Sequence, residues 1–63
     1  MIRINDEKVY IQDDGTTKRV ISGFCDVADK SELPTEDIMN GSYMYIVDDN
    51  SVSFFDEDTS EWG

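Results

Sequence analysis

The chain has 63 residues, with 15 acidic against 5 basic side chains, a formal net charge of −10, one cysteine and no histidine. That balance argues against direct nucleic-acid binding and against adhesion to anionic membranes, both of which need clustered Lys and Arg. A length this short allows one domain, and a domain of this size buries only about 60% of its unfolded surface.

The first apolar segment is Ile2 to Ile4. It is followed by Lys8 to Gln12, where Val9 and Ile11 alternate with Tyr10 in β-branched, period-2 fashion. Asp13-Asp14-Gly15-Thr16-Thr17 reads as a turn, with Gly15 free to take positive φ. Lys18 to Phe24 returns as a second strand, so residues 8–24 are expected to form a hairpin. Gly23 inside that strand marks a bulge or an end. The connection from Cys25 to Ser42 contains Pro34, which disfavours a helical Leu33, and Thr35, which is placed to cap a short turn over residues 35–39. Asn40-Gly41 is a turn signal, and Asn40-Gly41-Ser42, a match to a glycosylation sequon, is read as that turn.

A third strand runs from Ser42 to Asp48, with Tyr43, Tyr45 and Val47 alternating against Met44 and Ile46. Asp48-Asp49-Asn50-Ser51 is a reversal. The fourth strand runs from Ser51 to Glu57, with Val52 and Phe54 opposite Phe55, and Trp62 is expected to anchor the last segment. No apolar stripe of helical period and helical length is present. The expected fold is small and all-β: about four antiparallel strands in two successive hairpins, one domain over residues 1–63, with no long helix to cover either sheet face.

Cys25 alone excludes an intrachain disulfide, and no cysteine pair or histidine offers zinc ligands. Assembly, with a second copy or a larger host structure, is the staple that remains for so small a domain. Cys25 reads as a small buried hydrophobe, since no basic neighbour favours its thiolate. No apolar run approaches the length of a transmembrane helix, and the first ten residues lack the apolar core of a signal peptide, so an intracellular, reducing location is expected.

Charge is unevenly placed. Residues 1–30 hold all five bases and six acids, whereas residues 31–63 hold nine acids and no base. Within Tyr43 to Trp62 six of those acids accompany five aromatics: Asp48, Asp49, Asp56, Glu57, Asp58 and Glu61 beside Tyr43, Tyr45, Phe54, Phe55 and Trp62. Calcium loops fail on spacing. From Asp48 the fifth position is Val52 and the sixth Ser53, and from Asp56 Glu61 stands where glycine belongs. No serine lies in a Gly-x-Ser-x-Gly elbow, and no enzyme, metal or cofactor is expected. The five aromatics are expected in a core or an assembly interface, with a ligand-stacking platform as the alternative. The six acids are expected on a solvated or partner-facing acidic surface.

The positions Gly23-Phe24-Cys25, Leu33-Pro34-Thr35, Asn40-Gly41-Ser42, Ile46 to Asp48, Phe54-Phe55-Asp56 and Trp62 form a pattern. It resembles that of short proteins encoded near the structural genes of tailed phages and prophages of Gram-positive bacteria. The resemblance covers about two thirds of the chain. It consists of strand and turn chemistry, and those proteins carry glycine in the acidic turn where this chain has Asp48-Asp49-Asn50-Ser51. The resemblance implies a virion-associated structural protein, decorating a capsid or serving the head or tail, that works by protein–protein assembly with itself or a phage structural protein. It implies a location in the host bacterial cytoplasm during infection, with the virion as the alternative site. The charge supports a different reading: an acidic, anti-CRISPR-like inhibitor that imitates DNA and occupies a basic host defence nuclease.

Overall fold

A computed structural model describes all residues, Met1–Gly63. Five strands lie in chain order in one sheet: β1 (Arg3–Ile11), β2 (Thr17–Cys25), β3 (Tyr43–Ile46), β4 (Ser51–Asp56) and β5 (Glu61–Trp62). The molecule is small and mostly β, as its alternating sequence leads one to expect. Both hairpins form: β1 pairs antiparallel with β2, and β3 with β4.

The sheet departs from the expected plan in three ways. First, β2 and β3 run parallel, with Ser22 opposite Tyr43 and Cys25 opposite Ile46. A parallel pair needs a crossover of a dozen or more residues. Residues 26–42 supply it, through a 3-10 helix at Val27–Glu32 followed by a turn at Glu36 and Asp37, within the turn expected over residues 35–39. Second, β5 adds a fifth strand, antiparallel to β4, with Trp62 opposite Phe55 and Glu61 opposite Asp56. Third, one sheet face is covered after all. Leu33 and Ile38, single apolar residues in the crossover, are buried against it.

Strand alternation determines which side chains meet that cover. Ile21 and Cys25 of β2, Met44 and Ile46 of β3, and Phe55 of β4 point into it and are buried. They form two adjoining clusters, Cys25–Leu33–Met44–Ile46 and Ile21–Ile38–Phe55, with Trp62 packed against both. Two serines complete this face without leaving polar groups stranded. Ser42 Oγ donates to Met39 O at 2.9 Å and accepts from Ile21 N at 3.0 Å. Ser53 Oγ donates to Gly63 O at 2.9 Å.

Gly23 sits opposite a bulge between Ile4 and Asp6 of β1. A Cβ there would lie 1.8 Å from Arg3 O, so the close approach of β1 to β2 requires glycine. β1 begins at Arg3, ahead of the expected Lys8, because β2 is long enough to pair with it over the whole length. β1 is also an edge: β2 is its only neighbour, and all nine of its residues are exposed. The hairpin reaches beyond β3, which pairs only with Ser22–Cys25, and the molecule is correspondingly elongated, 39 × 23 × 16 Å.

Candidate functional site

The uncovered face of the sheet is where the sequence leaves large apolar groups in water. Alternation within β3 and β4 turns Tyr43, Tyr45, Val52 and Phe54 away from the crossover. The register sets Tyr43 opposite Phe54 and Tyr45 opposite Val52, with the Tyr43 and Phe54 ring centroids 6.4 Å apart. The parallel pairing brings Phe24 opposite Tyr45. The result is a patch of four aromatic residues, Phe24, Tyr43, Tyr45 and Phe54, with Val52 beside them, all exposed, and Phe54 is the most open at 62%. One end is fixed by the Tyr45 hydroxyl, which donates to Asn50 Oδ1 at 2.7 Å. At the other end Asp56 and Glu61 stand opposite each other across β4 and β5.

The five aromatics singled out in the sequence therefore divide. Tyr43, Tyr45 and Phe54 share the open face. Phe55 and Trp62 lie on the covered face, ring centroids 5.2 Å apart, and the Trp62 indole N–H donates to Pro34 O at 2.9 Å. These two hold the crossover down on the sheet. Phe24 and Val52 join the open face through strand register. Strand parity places Val52 on this face, whereas Phe24 lies there because β2 and β3 pair in parallel.

The six acids do not form one surface either. Asp48 and Asp49 lie in the β3–β4 turn, residues 47–50, while Asp56, Glu57, Asp58 and Glu61 surround the β4–β5 turn at the opposite end of β4. Several of them serve the fold. Asp48 accepts from Val27 N at 2.9 Å and so positions the 3-10 helix. Asp49 accepts from Ser51 Oγ at 3.0 Å, and Asp56 from Asp58 N at 3.0 Å.

Glu57 is the most engaged. It accepts from Lys18 Nζ at 2.8 Å and from Asn40 N at 3.1 Å, while its own N–H donates to Asn40 Oδ1 at 2.7 Å. The Lys18 ammonium, aided by the Asn40 N–H, holds the Glu57 carboxyl below its ordinary value, and Glu57 in turn raises Lys18. This clasp ties the Asn40-Gly41 turn to the β4–β5 turn and to β2. It was not legible in the sequence, because nothing local links residues 18, 40 and 57. Asp56, Asp58 and Glu61 enter none of the ion pairs, and of these only Asp56 accepts a hydrogen bond, from Asp58 N.

Cys25 is 1% exposed and desolvation pushes its thiol up, the opposite of an activated nucleophile. A shallow open groove between the crossover and β5, lined by Lys30, Leu33, Glu61 and Trp62 among others, has no desolvated carboxylate pair. No three Cys, Asp or Glu side chains converge as a metal-ligand set. The site is an exposed apolar surface with an acidic end. No family model, no curated protein and no solved structure matches the chain.

Proposed function

We propose that the chain is a small structural protein of a phage virion, decorating the capsid or serving as a head or tail accessory. It acts by docking its open sheet face, Phe24, Tyr43, Tyr45, Val52 and Phe54, onto a protein partner. The uncovered aromatic face supports this reading, because contiguous exposed apolar surface on a small protein marks an interaction site, and aromatic residues dominate the cores of protein interfaces. The virion setting is supported by the motif resemblance at Gly23-Phe24-Cys25, Leu33-Pro34-Thr35 and Phe54-Phe55-Asp56. On this reading the partner is a phage structural protein or a further copy of the chain, and neither nucleic acid, membrane, cofactor nor catalysis is involved. The two hairpins act as one scaffold: the second presents the face, and the crossover stiffens it from behind.

A second reading keeps the acidic, DNA-imitating inhibitor of a basic host nuclease. It is favoured by the nine acids without a base in residues 31–63 and by the unpaired carboxylates of Asp58 and Glu61. Mass spectrometry of purified particles, from the phage or prophage that carries the gene, tests the first reading. A fixed stoichiometry in the particle is expected. Consistent absence from particles, with a nuclease recovered on the chain and released by salt, would overturn it in favour of the second.

A further inference from the structure

We propose that the free edge of β1 pairs with the same edge of a second copy, antiparallel about Val9, joining two five-stranded sheets into one. This surface is separate from the open aromatic face and does not rest on the reading of that face.

The backbone sets which groups are available. At the end of the first hairpin Gln12 N–H donates to Thr16 O at 2.7 Å, across to the β2 side. Alternation then turns the backbone of Tyr10 and Lys8 towards β2, and turns the N–H and C=O groups of Glu7, Val9 and Ile11 outwards. β2 is the only neighbour of β1, so these outward groups meet no strand. The pairing with β2 is regular from Asp6 to Ile11, and the bulge lies before it. The bulge, a common device for blunting an edge, therefore lies outside the stretch that would pair.

A two-fold axis at Val9 sets Val9 against Val9, Glu7 against Ile11 and Lys8 against Tyr10. The first two are pairs of outward residues, each exchanging two backbone hydrogen bonds. The pairing covers Val9 and Ile11, which are 59% and 79% exposed, and brings the Lys8 ammonium within reach of the Tyr10 ring. No like charges stand directly opposed. An axis at Glu7 would oppose the two Glu7 carboxylates, and one at Ile11 would run into the turn. Register is thus specified by charge and by turn position.

Charge also selects a second copy as the occupant. The hairpin Arg3–Cys25 carries four acids and four bases, although the chain as a whole stands at −10. Two copies joined at this edge meet through their neutral parts and keep residues 31–63, with their nine acids, on the outer sides of the pair. Screening the remaining repulsion strengthens the contact, so association rises with salt.

Sedimentation equilibrium over a concentration series tests the proposal, with Val9→Lys and Val9→Pro as variants. Val9→Lys opposes two ammonium groups at the axis. Val9→Pro removes an outward N–H that takes no part in the pairing with β2, so the fold tolerates it at this edge. The wild-type chain is expected to dimerise, and each variant to weaken the dimer about tenfold or more with an unchanged far-UV spectrum and melting temperature. A wild-type chain that stays monomeric at millimolar concentration overturns the proposal. So does a dimer that survives both substitutions, which would place self-association on the open face instead.

Discussion

Single residues carry more of this fold than its composition suggests. Ser42 is fully buried, and its hydroxyl joins Ile21 N to Met39 O, so it satisfies a β2 N–H at the point where the crossover enters β3. Ser42→Ala leaves that donor without a partner, and the expected loss is about 1–3 kcal/mol by urea denaturation. The replacement is otherwise close to isosteric, so a stability unchanged from wild type would show that water reaches Ile21 N. Glu57 makes a pH-dependent contribution. Its carboxyl is held down in the folded state by Lys18 and Asn40, so the stabilisation is present above the ordinary value of 4.5 and is lost as pH falls through the lowered folded value. The stability gap between wild type and Glu57→Gln is therefore expected at neutral pH and should close on acidification below about pH 4.5. Melting curves from pH 7 to pH 2 check this, and a gap that widens in acid would mean the clasp is not held by the ionised carboxylate.

The elements differ in how far the sequence announces them. β3 and β4 were legible because Met44, Ile46 and Phe55 alternate cleanly with Tyr43, Tyr45 and Phe54, and the β1–β2 turn was legible from Gly15, whose φ is 87°. The parallel β2–β3 pair was not. The crossover shows no helical period, and it covers the sheet with two isolated residues, Leu33 and Ile38, whose partners lie far away in the chain. β5 is two residues long, too short for alternation to announce it, and only its terminal Trp62 stands out as an anchor. That anchor ties three elements together: the Trp62 ring packs tilted against Phe55 of β4, touches both core clusters and donates to Pro34 O in the crossover. Trp62→Ala is expected to cost about 3 kcal/mol, the low end for a core tryptophan because the ring is half-buried. Thermal unfolding at fixed concentration measures it, and an unchanged midpoint would show that β5 contributes nothing to the cover. The candidate site was half legible for the same reason: parity pointed to Tyr43, Tyr45 and Phe54, whereas the inward placement of Phe55 and Trp62 needed the crossover to be known.

At the scale of the molecule, one sheet face is closed by residues 26–42 and the other is left open, while six of the fifteen acids lie around the two ends of β4. A partner held by the apolar face and one held by the acids would therefore engage different parts of one surface and respond oppositely to salt, since apolar burial survives screening and exposed ion pairs do not. Affinity capture from phage-producing host cells across a salt series, with the doubly substituted Tyr43→Ser/Phe54→Ser and Asp58→Asn/Glu61→Gln chains beside the wild type, separates the two most directly. A virion structural protein held at high salt, lost with Tyr43→Ser/Phe54→Ser and kept with Asp58→Asn/Glu61→Gln, is the result expected of a docking face. A basic nuclease released by salt, kept with the aromatic substitutions and lost with the acidic ones, would contradict it.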